Sequence, residues 1–190
     1  MELKNGLLKT VILPLAIVVI VVIVFVYATY SLGVMPATFN NGPSDYPLRA
    51  ADFTQDESVW SKNLPYVNSG DELRFKVYYH NSANKVAENT VIALKLSCSE
   101  NSQIFKATSI ISAKEFRDYS ESICIGLKYP KSIVLRKEAV WYHEYSEASQ
   151  WEKEKIPVSV TDNIATVNLG SIDPGYTPND GFVVFFADVN

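Results

Sequence analysis

The sequence predicts a mainly β protein, a β-sandwich carried behind one N-terminal transmembrane helix. Three observations lead there. An uncharged apolar run fills the N-terminal region, and a stretch around residue 75 alternates apolar and polar side chains with period two. Beyond it, apolar runs of strand length recur at roughly ten- to fifteen-residue intervals with turn signals between them, the cadence of a sandwich.

The anchor comes first. No charged residue lies between Thr10 and Ser44, and residues 11–28 read VILPLAIVVIVVIVFVYA. A helix of that length rises about 27 Å, close to the thickness of a bilayer's hydrocarbon core. Val and Ile are mediocre helix formers in water, but in lipid the backbone must satisfy its own hydrogen bonds, and a helix does so. Pro14 falls in the first turn, where a missing N–H costs little. Tyr27 and Tyr30 stand where an aromatic belt would lie. Lys4 and Lys9 precede the run and no Lys or Arg follows it before residue 45, so the positive-inside rule puts the N-terminus in the cytoplasm. The expected division is a cytoplasmic segment 1–10, a transmembrane helix 11–30, a linker 31–50 and an extracytoplasmic domain 51–190. Two rival readings of the N-terminus stand beside this one. A cleaved signal peptide would use Ala28 as its site, although the run is longer than a usual apolar signal region. A pilin-like subunit would be processed at Gly6, but bacterial pilins carry Glu where this chain has Val11.

Composition narrows the class of the outer domain. The chain of 190 residues is 47% hydrophobic, 12% aromatic and 20% charged, values of a folded protein and not of a disordered one. Net charge is −4, and the first thirty residues carry two lysines against Glu2, so the remainder is more acidic still. Such a domain has no electrostatic grip on phosphates, and nucleic acid is not expected as a partner. The membrane is expected as one partner, and a protein or surface polymer as another.

The strands read as follows. Leu73, Phe75, Val77 and Tyr79 alternate with Arg74, Lys76, Tyr78 and His80, giving one dry face and one wet face. Asn68-Ser69-Gly70-Asp71 is the turn before them. Further strands are expected at 90–96, 104–112, 122–127, 133–142, 158–160, 165–169 and 182–189. The last run, FVVFFADV, is apolar on both faces and suits a central strand. Asp162-Asn163 and Asp173-Pro174-Gly175 mark turns. Residues 145–155, YSEASQWEKEK, break the alternation, and Ser146 as an N-cap predicts a short surface helix or ordered loop.

Two stretches together resemble a known family. One is GDELRFKVYYHN at 70–81 with Ala87-Glu88-Asn89-Thr90-Val91, the other ATVNLGSIDPG at 165–175 with Phe182-Val183-Val184-Phe185. They are similar to the Ig-like surface-repeat domain of bacterial and archaeal envelope proteins. The resemblance implies an Ig-like β-sandwich in a module of adhesion or envelope structure, with no catalytic residues to carry over. In it, Gly170 and Pro174-Gly175 would frame two reversals into the final strand.

Candidate sites are few. Cys98 and Cys124 lie in a domain expected outside the cell, so they read as a disulfide or as two buried thiols. His80, Cys98 and Arg117 occur in the order a sortase-like transpeptidase would need, but Leu94-Lys95-Leu96-Ser97 before the cysteine does not match that family. His80 and His143 form no zinc motif, and Asp56, Glu57 and Asp71 form no spaced calcium loop, so no cofactor or metal is expected. Trp141, Tyr142, Tyr145 and Trp151 make an aromatic patch, read either as core or as a partner surface. The expected function is a non-catalytic membrane-anchored surface module, with the pilin-like filament subunit and the sortase-like enzyme as alternatives. Protease added outside intact cells should therefore remove the C-terminal domain; protection until lysis would reverse the orientation.

Overall fold

The computed structural model describes residues 37–42, 45–56, 59–98, 103–129, 132–145 and 151–190. The expected transmembrane segment 11–30, with 1–10 and 31–36, lies outside the described residues. Among the described residues no helix is long and apolar enough to cross a membrane.

Period-two alternation becomes strand along most of the chain. In order the strands are β1 (Leu48–Asp52), β2 (Asn63–Val67), β3 (Glu72–Tyr79), β4 (Ala87–Cys98), β5 (Ile104–Ser112), β6 (Tyr119–Leu127), β7 (Ile133–Tyr145), β8 (Trp151–Pro157), β9 (Ser159–Thr161), β10 (Ile164–Ile172) and β11 (Gly181–Val189). They form a five-stranded sheet, β1-β3-β11-β7-β8, and a six-stranded sheet, β2-β6-β5-β4-β10-β9. The inner rows of both sheets merge into one core, so the mainly β sandwich expected from the sequence is the observed architecture. Phe75 on β3 pairs directly with Phe185 on β11 at its centre, and neither is exposed. Each such side chain contributes about 1.5–3 kcal/mol by leaving water.

Backbone chemistry places the turns. Asp162 and Asn163 both adopt positive φ, 51° and 60°, which gives the β9–β10 hairpin the right-handed twist a two-residue loop needs. Gly170, with φ of 75°, makes no reversal: it sits at a bulge inside β10, and its N–H donates to Asn168 Oδ1 at 2.9 Å. Gly175 does lie in the connection to β11, with its N–H on the Asn81 carbonyl at 3.0 Å. At Gly181 a Cβ would come within 2.5 Å of the Tyr142 carbonyl and the Tyr79 hydroxyl, so only glycine fits.

The structure corrects several expectations. Of the helix or loop expected at 145–155, the described residues, Tyr145 and 151–155, are strand, with β8 beginning at Trp151 and pairing antiparallel with β7; 146–150, with the expected N-cap Ser146, lie outside the described residues. Charge alternation there is the protection of a sheet edge, with Glu152 and Glu154 on one face and Lys153 and Lys155 on the other. The folded unit begins at Ala37, not at residue 51. Phe39, Leu48 and Ala50 are fully buried, and Asn40 acts as a strand partner for the end of β3. Its Oδ1 accepts the His80 N–H at 2.8 Å while its Nδ2 donates to the Tyr78 carbonyl at 2.9 Å. His80 is therefore buried, not on the wet face.

The disulfide is not formed. Cys98 pairs with Phe105 and Cys124 with Lys106, so β5 runs between them. Two strand spacings of about 4.8 Å hold the Cα atoms roughly 10 Å apart, beyond the reach of a disulfide. Cys124 is a free, exposed thiol, which also sets aside the reading of two buried thiols.

Two carboxylate systems tie the five-stranded sheet. Arg136 on β7 forks onto Asp188 of β11, with Nε at 2.9 Å from Oδ2 and Nη2 on Oδ1, and reaches Glu72 of β3 at 3.0 Å. The bond from Arg136 holds Asp188 below the usual carboxylate range. Burial raises Glu72, but Arg74 and Arg136 outweigh it and leave it lowered as well. Their stabilisation is present above the unfolded carboxylate range and is lost as pH falls.

Asp52 behaves in the opposite sense. Burial first, then the neighbouring Asp71 carboxyl, push its pKa up to about 6, against the Gln55 and Thr54 N–H groups that lower it. Oδ2 of Asp52 is buried without a hydrogen-bond partner, and a proton on it supplies one by bonding to Asp71. The folded chain then keeps a proton that the unfolded chain loses near 3.8, so stability falls as pH rises from about 4 to about 6. Asp52→Asn keeps the acceptor for Thr54 and Gln55 and brings its own donor to Asp71. Denaturant melts should show it more stable than the parent at pH 7 by on the order of 2 kcal/mol and nearly equal at pH 3.5. Parallel pH profiles for the two proteins would refute the shared proton.

Candidate functional site

β1 and β3 are antiparallel neighbours at one side of the five-stranded sheet, and their register sets Arg49 directly across from Lys76. Both side chains project from the sheet's outer face, since Leu48, Ala50, Phe75 and Val77 occupy the core side. On the next strand Val184 pairs with Lys76, and Phe182 pairs with Tyr78. The connection after β1 returns Trp60 to this face, and the segment before β1 brings Tyr46. The result is an open basin of about 400 Å³ with aromatic walls and two cations.

The cations lie on the rings. The Arg49 guanidinium is 4.5 Å from the centre of the Tyr46 ring. Lys76 Nζ is 4.7 Å from Trp60 and 5.5 Å from Phe182. Such contacts contribute about 0.5–1 kcal/mol each where water has access. Neither Arg49 nor Lys76 has an ion-pair partner among the described residues. Burial, and then the Arg49 charge, hold the Lys76 ammonium below its ordinary pKa.

The far rim is polar. Tyr78 donates from its hydroxyl to Asp180 Oδ2 at 2.9 Å, and burial together with that carboxylate raises its pKa. Tyr176 stacks on His80 at 3.7 Å between ring centres and stays half exposed. Asp45 Oδ2 accepts the Gly42 N–H at 2.8 Å and lies 3.4 Å from His80 Nδ1. Ser82 Oγ is 3.3 Å from that same nitrogen. An acid–base relay needs the carboxylate and the nucleophile on opposite ring nitrogens, and here both sit at Nδ1. Among the described residues no group of three His, Cys, Asp or Glu side chains could hold a metal ion.

The residues singled out in the sequence are divided by the fold. Trp141 turns inward, its Nε1 donating to the Tyr79 hydroxyl at 2.8 Å, and His143 packs on it at 4.0 Å. Tyr142 turns outward and stacks on Phe182 at 4.5 Å, and Trp151 meets Phe182 edge-on at 5.5 Å. Tyr145 ends β7, and its side chain lies outside the described residues. The aromatic patch is therefore part core and part extension of the basin through Phe182. His80 and Cys98 are not brought together. Asn81, next to His80, bonds the Ile172 carbonyl, Ile172 pairs with Ala87, and Cys98 is at the other end of the twelve-residue β4. That is a strand length of roughly 36 Å.

The sequence reading missed Arg49, Trp60 and Lys76 as a group. Lys76 was legible as wet-face, but Arg49 and Trp60 reach it only through pairing and a loop return. Comparison with family models, with curated proteins and with solved structures finds no match to this chain.

Lys76 carries its charge on a stem that covers Trp60 and Phe182. Lys76→Met keeps the stem and removes a half-buried charge facing Arg49, so urea melts should place it within about 0.5 kcal/mol of the parent or above it. Lys76→Ala strips the cover and should lose about 1–2 kcal/mol. A large loss in the Met variant would mean that the charge, not the stem, holds the basin together.

Proposed function

We propose that this chain is a membrane-anchored surface module that binds rather than catalyses. In this reading residues 11–30 form the anchor, the N-terminus is cytoplasmic, and an Ig-like sandwich stands outside the cell. There it contacts a protein or surface polymer in adhesion or envelope structure. One observation carries the binding role: an open basin on an exposed sheet face, walled by aromatic rings and carrying cations without ion-pair partners among the described residues. Exposed rings with a few convergent polar groups are the usual material of recognition sites.

Two further features support the reading. The chain passes repeatedly between the two sheets, at β1–β2, β2–β3, β3–β4, β6–β7, β8–β9 and β10–β11, and crossings between sheets are a feature of Greek-key sandwiches. His80, the histidine nearest the basin, has its carboxylate and hydroxyl neighbours on one nitrogen, an arrangement suited to holding a loop.

The test uses the full chain held in zwitterionic detergent, which keeps the apolar run 11–28 in a micelle, and envelopes stripped of lipid by detergent from the cells that naturally express it. The parent should sediment with the envelopes. Arg49→Glu combined with Lys76→Glu should release most of it while retaining the parent's far-UV spectrum and melting cooperativity. Retention unchanged by the double variant would overturn the basin as the contact surface.

A further inference from the structure

The binding reading leaves the ligand unnamed, and the inference here rests on that reading and deepens it. Arg49 and Lys76 are directly opposed across two antiparallel strands on one face. Like charges so placed destabilise a sheet. Elsewhere on the same sheet the opposite solution is used: Arg74 and Arg136 are both matched to Glu72. At the basin no described carboxylate performs that office. Asp45 is turned to Gly42 and His80, and Asp180 accepts from Tyr78 and Thr177. Among the described residues the site is therefore short of a negative charge between Arg49 and Lys76.

The form of the missing anion follows from what surrounds it. The basin lies on the face of β1, β3 and β11; β3 and β11 are paired on both sides, and the outer edge of β1 is taken up by the Ser61 backbone at Ala50 and the Glu121 carboxylate at the Leu48 N–H. A peptide that recognises a protein through its own backbone docks along a free edge, and a helix docks in an apolar groove. Neither is offered. What projects is side chain alone: two cations, the exposed rings of Tyr46 and Tyr176, and the half-buried ring of Trp60. A volume of about 400 Å³ suits a small ring-bearing ligand.

We propose that the basin binds an acidic sugar, a uronate unit whose carboxylate lies between Arg49 and Lys76 and whose ring packs on the exposed aromatic walls. The carboxylate relieves the opposed cations, and the C–H face of the sugar covers rings that water now meets. Because the basin opens outward, such a unit can belong to a longer glycan passing over the sheet.

Calorimetric titration of the full chain in zwitterionic detergent tests this with a defined probe, trigalacturonate. The expected result is saturable binding that weakens at least tenfold in Arg49→Gln and in Lys76→Met. Lys106→Gln, on the other sheet, should bind as the parent does. The neutral trisaccharide of galactose should bind at least tenfold more weakly than the uronate. Equal binding of the neutral sugar would overturn the role of the anion, and unchanged binding in both basin variants would overturn the site. Tighter binding of triglutamate or of inorganic phosphate than of trigalacturonate would replace the sugar by another class of anion. Absence of uronate binding alongside basin-dependent envelope retention would refute this ligand and leave the binding module intact. Loss of both would remove the module reading itself.

Discussion

β11 is apolar on both faces, and a two-layer sandwich can bury only one of them. Val183, Phe185, Ala187 and Val189 face the core, where the six-stranded sheet covers them. Phe182, Val184 and Phe186 face outward, yet Val184 is only 5% exposed. No helix among the described residues packs there. Long cationic side chains from β3 do the covering instead: Lys76 lies over Trp60 and Phe182, and Arg74 over Phe53 at 3.5 Å and Phe186 at 5.1 Å. Their stems exclude water while their heads remain at the surface. The outer face of this sheet is thus a third, side-chain layer, and the basin is the place where that layer is left open.

That third layer explains how structure and site share residues. Where Arg74 and Arg136 find Glu72 and Asp188, the layer is electrically closed and serves the fold. Where Arg49 and Lys76 meet, it is open, and this is where the proposed ligand would sit. Arg74 and Lys76 stand two positions apart on β3, so the division falls within a single strand. The core beneath is indifferent to it, because Leu73, Phe75 and Val77 are packed identically deep on the other side.

Much of the fold was legible because period-two alternation is a local signal. β5 was readable to its ends from Ile104 to Ser112, and the doubly apolar run at the C-terminus did become a central strand. The failures have physical causes. β8 is an edge strand, and its Glu-Lys alternation answers to exclusion of other strands and not to a buried face, so it carried no apolar period. Residues 37–42 looked like a spacer because Asn40, Asn41 and Gly42 stand between Pro36 and Pro43, but Phe39 anchors them and Asn40 hydrogen-bonds as a strand would. The cysteine pairing depended on strand order, which no local pattern encodes. The basin was least legible, since its parts come from β1, β3, β11 and three loops.

The charge alternation of β8 has a consequence at the scale of the whole domain. Lys153 and Lys155 fall on the same side as Tyr142 and Val140, in rows that continue through Phe182 and Val184 to Tyr78, Lys76 and Arg49. A chain of net charge −4 therefore carries a basic band across one broad face. Such a body has an electrical moment, and in the field of a polyanionic surface it turns before it touches. Orientation then precedes contact, and the speed of productive encounter, more than the strength of the final grip, becomes the quantity that dissolved salt controls.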